Sequence, residues 1–289
     1  MTKILITGKD SYIGTNVKIK LLRNNDDYLV EELDMKNPNW EEFDFSTYDV
    51  ILHVAGIAHV STKKKLDNLY FSVNRDLAIK TALKAKNEGV KQFIFMSSII
   101  IYGEKINNGY IEINKFNPSN AYGKSKLEAD IFINNLNNKN FHSVIIRTPV
   151  VYGKNSKGNF AKLLNFSKKM PIIFDIQAER SMIYIENLAE FIKLIIDNKS
   201  SGVYYPQNQD YVNIRDTMEQ IRIIENKRFY RTKLFNPIIF FFSCLISPIK
   251  KMYATKKYNK EISIHFDNNY NLVNFQESIR RILSKEEDE

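Results

Sequence analysis

Short apolar runs alternate with stretches of helical periodicity through the first half of this chain, and that alternation restricts its fold more than any other feature. Lys3-Ile4-Leu5-Ile6-Thr7 reads as a strand buried on both faces, followed by a helix from about Tyr12 to Arg23. Tyr28–Leu33, Val50–Val54 and Gln92–Ser97 read as further strands, and Ser143–Arg147 as another β-rich run. A helix is expected from about Tyr70 to Glu88, closed by Gly89, and another from an N-cap at Ser119 to about Leu136. Strands of about five residues joined by helices pack as right-handed βαβ units, so the expected fold class is α/β with a doubly wound parallel sheet. After about Tyr152 the pattern turns irregular, which suits a smaller C-terminal substrate-binding lobe woven from returning segments. The expected division is residues 1–152, with about 182–200 returning to them, against a lobe of 153–181 and 201–289.

Composition narrows the function classes. The single cysteine, Cys244, excludes an internal disulfide framework and any cysteine-based metal cluster, which suits a reducing cytoplasm. The four histidines, His53, His59, His142 and His265, form no short ligand motif, so no metal is expected. The first strand begins at Lys3, leaving no room for a signal peptide. A formal net charge of +9 raises the question of nucleic acid. The clusters Lys63-Lys64-Lys65 and Lys250-Lys251 are short and lack interleaved aromatics, so no nucleic-acid partner is expected, and the positive field suits a dianionic small molecule.

The first strand ends in Thr7-Gly8-Lys9-Asp10-Ser11-Tyr12-Ile13-Gly14, directly before a helix. Such a turn lets backbone N–H groups and a helix N-terminus meet a pyrophosphate, although Ser11 stands where a middle glycine is expected. Asp34 closes the second strand 20 residues after Gly14, at the place where a carboxylate bonds adenosine ribose hydroxyls. Lys36 is close enough to take a 2′-phosphate instead, which leaves NAD and NADP both open. Asp44, after a short third strand, is placed to face the adenine amino group.

Tyr122 and Lys126 lie four apart at the start of a helix, hence on one face. A nearby ammonium and the positive charge of a nicotinamide ring favour the phenolate and let a tyrosine act as acid or base near neutral pH. With 16 tyrosines in a lysine-rich chain the spacing alone decides nothing, and Tyr253/Lys257 has it too. Only Tyr122 follows a strand ending in Ser97-Ser98, whose hydroxyl can polarise a sugar carbonyl from the adjacent strand end.

Three runs together, Phe95-Met96-Ser97-Ser98-Ile99-Ile100-Ile101-Tyr102-Gly103, Tyr122-Gly123-Lys124-Ser125-Lys126 and Arg147-Thr148-Pro149-Val150-Val151-Tyr152-Gly153, resemble the extended short-chain dehydrogenases of the NAD-dependent epimerase/dehydratase family. So does Arg180-Ser181-Met182-Ile183-Tyr184-Ile185-Glu186-Asn187-Leu188-Ala189, and the resemblance covers about the first 200 residues in order. It implies a Rossmann fold, an NAD or NADP cofactor and a UDP-sugar substrate. It also implies a catalytic triad of Ser98, Tyr122 and Lys126. It places His53-Val54-Ala55-Gly56 and Asn74 along the cofactor, Thr148, Pro149 and Val150 beside the nicotinamide, and Asn159 and Arg180 at the nucleotide diphosphate. Gly158-Asn159-Phe160 and Pro171-Ile172-Ile173-Phe174 with Glu179-Arg180-Ser181 look most like bacterial capsule 4-ketoreductases, which reduce UDP-2-acetamido-2,6-dideoxy-4-keto sugars for surface polysaccharide. UDP-sugar 4-epimerases share nearly all these residues, and a non-catalytic NAD(P)-sensing protein is a third reading. Ile99 stands where a 4,6-dehydratase has an acid, which counts against dehydration.

One stretch departs from the pattern. Pro237 to Ile249 is strongly apolar and is followed by Lys250 and Lys251. Thirteen residues are too few to span a bilayer, which takes a helix of about 20. The expectation for 237–251 is therefore a buried lobe helix, a homodimer surface or contact with a membrane surface.

Overall fold

The computed structural model describes residues 1–23, 26–58, 66–104, 109–237 and 254–284. Expectations attached to His59, Lys63–Lys65, Cys244, Tyr253 and residues 238–251 lie outside the described residues. Six strands form one sheet: β1 (Thr2–Thr7), β2 (Tyr28–Leu33), β3 (Val50–His53), β4 (Gln92–Ser98), β5 (His142–Thr148) and, after shorter strands, β10 (Gly202–Tyr204). Their order is β10-β5-β4-β3-β1-β2 and every pairing is parallel.

The sheet is apolar at successive positions because both its faces are covered. Ile4 and Ile6 of β1 point into one core with Val50, Leu52, Ile94 and Met96. Leu5, between them, points into the other with Ile51, Phe93 and Phe95. The first core is closed by α1 (Tyr12–Leu22), the second by α3 (Leu77–Asn87) and α4 (Ala121–Asn134), through side chains such as Val17, Ala82 and Ile133. This is the doubly wound arrangement expected from the sequence.

Three local expectations are corrected. Asn120, not Ser119, caps α4, its side chain accepting a hydrogen bond from Gly123 N at 2.8 Å. No strand precedes Asp44, where Trp40–Glu42 forms a 3₁₀ turn packed through the buried Trp40. The helix expected over 70–88 is α2 (Asp67–Phe71), then a π-helical turn over Ser72–Asp76, then α3. An extra residue in that turn carries Asn74 inward, and its side-chain amide holds both backbone groups of Ile57, at 2.8 and 2.9 Å.

Because all strands run parallel, their C-terminal ends share one edge. The chain leaves β1 for β2 on one side and crosses back to β3 on the other, so the ends of β1 and β3 flank a topological switch point, where such sheets bind ligands. The later elements weave around this edge: β6 (Val150–Tyr152), α5 (Asn159–Lys169), β7 (Ile172–Phe174), β8 (Glu179–Arg180), β9 (Met182–Tyr184), α6 (Ile185–Asp197), β11 (Val212–Asn213), α7 (Ile214–Ile224), β12 (Tyr230–Thr232) and α8 (Phe275–Leu283). β6 pairs with β9, β7 with β12 and β8 with β11, while α6 lies against α1 and Ile279 of α8 enters the first core.

A buried ion pair ties the two kinds of element together. Arg147, on β5, donates from Nε and Nη2 to the two carboxylate oxygens of Asp130, on α4, at 3.0 and 2.7 Å. Its Nη1 reaches the hydroxyls of Tyr102 and Tyr205 at 2.9 and 3.1 Å, and the ring of Phe116 lies 4.9 Å from the guanidinium. Ser97 donates to Asp130 at 2.6 Å. Such a pair adds little over an apolar replacement of both partners, but loss of one partner strands a charge in the interior. Asp130→Ala is expected to cost about 3–5 kcal/mol in denaturant unfolding, and Asp130→Ala with Arg147→Met less than the single change. A loss below about 1 kcal/mol for the single variant would mean water reaches Arg147.

Candidate active site

The turn after β1 is built for close approach. Gly8 has φ +119° and a Cβ there would sit 2.8 Å from the backbone nitrogen of Ala55, so no other residue fits without moving the β3 end. Gly8 N and Lys9 N donate to Leu33 O at 3.0 and 3.2 Å, which draws the turn against the end of β2. Ser11 does not disturb this turn. Its hydroxyl caps α1 by accepting from Gly14 N at 3.2 Å, and a Cβ on Gly14 would lie 2.5 Å from it. The Tyr12 side chain turns inward to Gly153 and Ile13 packs on the core, so these two offer the turn their backbone. The corner therefore fits the pyrophosphate of a dinucleotide: backbone only, at a helix N-terminus.

Asp34 follows directly on Leu33 and is exposed, its carboxylate accepting from Lys36 N at 2.9 Å. Lys36 is likewise exposed, so both side chains reach the rim where a ribose would lie. Asp44 is exposed and accepts from Ser46 N at 2.8 Å, which holds its carboxyl below the usual range. His53 is wholly buried, with Nδ1 2.7 Å from the Thr7 hydroxyl, and burial pushes it down to about 3. It is neutral at physiological pH and serves as packing beneath Ala55 and Gly56.

Ser98 ends β4 and caps the 3₁₀ turn Ile99–Tyr102, accepting from Ile100 N at 3.3 Å. Its hydroxyl lies beside that of Tyr122, in the first turn of α4, and favours the ionised form of the phenol. The Tyr70 ring lies 5.8 Å from the Tyr122 ring and walls the other side. Lys126, one helical turn on, is buried, donates to Met96 O at 2.9 Å and lies 4.6 Å over the Phe95 ring. Burial pushes its ammonium down to about 8, against the opposing pull of Asp130. Gly56 separates Lys126 from Asn74, since a Cβ there would lie 2.9 Å from Asn74 Oδ1 and 3.5 Å from Lys126 Nζ. The three sequence candidates and the cofactor-lining loop thus converge.

The part of one electrostatic expectation that rests on the ammonium is corrected. Burial raises the Tyr122 phenol, the Ser98 hydroxyl opposes this only in part, and the Lys126 ammonium is turned to Met96 O. Thr148, at the end of β5, donates to Ser97 O at 3.0 Å and fixes the strand end that leads into Pro149 and Val150.

Asn159 opens α5 and is exposed, behind Gly158 at φ +99°. Arg180 is half-buried on β8, and desolvation lowers it. Nothing in the sequence pointed to its neighbour, Lys256. That residue bridges to Arg180 in parallel register, Ser181 N donating to Lys256 O at 3.1 Å, while its ammonium donates to Gly103 O at 2.6 Å. Burial and the Arg180 charge push Lys256 down to about 8. Two cations 76 positions apart thus meet beside the turn that follows Ser98, and no local motif signals such a pairing. Asp130 was more accessible to reading, standing four and eight residues beyond Lys126 and Tyr122 on one helix face.

Residues 4–212 match the model of the NAD dependent epimerase/dehydratase family. A UDP-glucose 4-epimerase of Vibrio cholerae is 34% identical over 222 residues, covering 69% of this chain and 68% of the relative. The N-acetyl-alpha-D-glucosaminyl-diphospho-ditrans,octacis-undecaprenol 4-epimerase of Escherichia coli O157:H7 is 25% identical over 244 residues, covering 78% and 73%. The fold matches that of the Thermus thermophilus UDP-glucose 4-epimerase in complex with NAD, with a TM-score of 0.72 at 17% identity over 96% of this chain and 97% of the other.

The buried ammonium gives the site a measurable signature. Below pH 8 both folded and unfolded chains carry the Lys126 charge, and the burial cost is felt in full. As pH rises from about 8 towards the unfolded value of 10.5, the folded chain releases this proton first and the cost fades. Lys126→Met should therefore unfold at higher denaturant than the unsubstituted protein at pH 7, by up to about 3 kcal/mol, with the gap narrowing by pH 10. A gap that stays constant with pH would place the titration elsewhere.

Proposed function

This chain belongs to the NAD dependent epimerase/dehydratase family, and we propose that within it the protein is a 4-ketoreductase of a nucleotide sugar, acting on a UDP-2-acetamido-2,6-dideoxy-4-keto-hexose in surface-polysaccharide synthesis. Members of this family among its relatives are enzymes, and redox chemistry at sugar C4 is the coarser reading that the relatives share. The Gly8 corner, Gly14, Ala55, Gly56, Asn74 and the Thr148–Val150 segment would hold the dinucleotide, with Asp34 against the ribose. NADH or NADPH, when bound, would supply the hydride for C4 and leave as the oxidised coenzyme.

The chain's own groups handle the proton and the charge. Tyr122 gives its hydroxyl proton to the oxygen at C4, and Ser98, beside Tyr122, steadies that oxygen. A raised phenol suits this direction, since a reductase needs a protonated tyrosine at the start of the turn. Lys126, half-neutral near pH 8, re-supplies positive charge beside the phenolate that remains. Arg180 and Lys256 take the diphosphate, with Asn159 beside it, through charge-assisted hydrogen bonds. A diphosphate is common to UDP-sugars and to the polyprenol-linked substrate in the name of the Escherichia coli relative.

The observation that carries reduction over epimerisation is the capped turn. Ser11 satisfies Gly14 N, so one N–H at the start of α1 is spent before any pyrophosphate arrives. Weaker retention suits a coenzyme released after each turnover, whereas an epimerase must keep it through oxidation and return. The 4-epimerase reading stands second, supported by the 34% identity to the Vibrio cholerae enzyme.

Incubation with UDP-GlcNAc or UDP-glucose and no added coenzyme separates the two. No interconversion by NMR, with stoichiometric NAD(P)H oxidation once a 4-keto-6-deoxy sugar nucleotide is supplied, is the expected outcome; appearance of the galacto isomer would make the protein an epimerase. Tyr122→Phe should lower turnover at least about a hundredfold and leave coenzyme affinity within about twofold. Turnover that survives the change would move the acid to another residue.

A further inference from the structure

We propose that the edge formed by β12 and the C-terminal ends of α5 and α7 docks on the surface of an anionic lipid bilayer. The inference stands apart from the choice of reaction, and its geometry is that of described residues.

Five large apolar side chains are exposed along this edge: Phe166 at 41%, Ile223 at 54%, Tyr230 at 67%, Leu234 at 77% and Phe235 at 40%. They belong to one surface. Arg222 of α7 donates to Ser167 O and Lys168 O at the end of α5, and Lys227 Nζ also reaches Lys168 O. Glu225 accepts from Lys168 and Lys227 at 3.0 and 2.9 Å and closes the seam between the two helix ends. Tyr230 N then donates to Pro171 O, which starts β12 beside β7, and Phe235 meets Phe174 edge-on at the far end of that pair. A shallow surface cavity lies between Arg222, Asn226, Lys227 and Tyr230.

The charge on this edge is predominantly of one sign. Between residues 162–169 and 222–235 the chain carries seven basic residues besides the buried Arg222 and a single acidic one, Glu225. Glu225 is already neutralised by its two lysines, and Asp175 and Glu219 reach in from outside these segments to offset Arg231. A surplus of cations remains. Exposed apolar groups ringed by such a surplus are the composition that binds anionic lipid headgroups, the apolar tips entering the acyl boundary while the cations stay at the phosphates. Nucleic acid fits less well, because Leu234 and Ile223 present aliphatic groups with nothing to stack on a base. The chain also enters its most apolar stretch, Pro237 to Ile249, two residues after Phe235. Among the described residues no helix is long and apolar enough to cross a membrane, so the contact is with a surface.

Vesicle sedimentation tests this with the full chain. Vesicles of phosphatidylcholine and phosphatidylglycerol, three to one, should carry the protein down, and pure phosphatidylcholine should not. Tyr230→Asp with Leu234→Asp should lower partitioning at least about tenfold. Lys169→Glu with Arg228→Glu should lower it about fivefold or more for each cation removed, with the effect fading in high salt. Both variants should keep the wild-type melting temperature and the wild-type turnover of soluble substrate. Absence of sedimentation with anionic vesicles, or sedimentation that both variants retain, overturns the proposal. Light scattering that shows the variants dissociating a dimer would give the face to a second copy of the chain, and an oligonucleotide whose binding both variants abolish would give it to nucleic acid.

Discussion

A guanidinium buried among aromatic rings must find all its partners inside the protein, and Arg147 finds them on separate parts of the chain. Asp130 comes from the helix that carries Tyr122 and Lys126. Tyr102 comes from the turn that Ser98 begins, and Tyr205 from the segment after β10. Tyr258 closes the set from the far end, donating its hydroxyl to Arg147 O at 3.0 Å. The Asp130–Arg147 pair thus locates the candidate acid, the strand end and the C-terminal segment relative to one another. Its worth lies less in net stability than in the single arrangement that satisfies it.

Around that pair, burial sets the protonation states. His53 is held neutral, the Tyr122 phenol is kept protonated and the Lys126 ammonium is brought near neutrality, each by loss of water before any specific partner acts. The arrangement is economical with charge beside the sugar. Lys256 is lowered by burial in the same way, and beside Arg180 it lies where a diphosphate would bring the compensating negative charge. A site so divided separates holding a ligand from acting on it.

The parallel sheet was legible because its central strands carry consecutive apolar residues, a pattern that Ile4, Leu5 and Ile6 explain by entering two cores in turn. Ser98, Tyr122 and Lys126 were legible through the family resemblance of the runs that carry them, since Tyr253/Lys257 has the same helical spacing. What failed was local. Ser119 and Asn120 are both good caps, and only the backbone decides between them. A π-helical turn leaves no mark in an apolar repeat, so the break at Ser72 went unseen. Ser11 looked like a defect in a glycine motif and is a helix cap. The meeting of Arg180 with Lys256 belongs to tertiary structure alone, since nothing near either residue predicts the other.

That late meeting has a consequence for how the protein matures. A chain emerging in order from its N-terminus can complete the Gly8 turn, α1 and the β1–β3 ladder from nearby residues, and it has α4 in hand by Asn134. The second cation must wait until residues 254–258 are made and threaded beside β8, a closure of long sequence separation that is intrinsically slow. The pocket for the dinucleotide and the grip on the diphosphate are therefore acquired in sequence. If Arg180 and Lys256 hold the diphosphate as proposed, the nascent protein would be able to admit its coenzyme before it could retain its sugar.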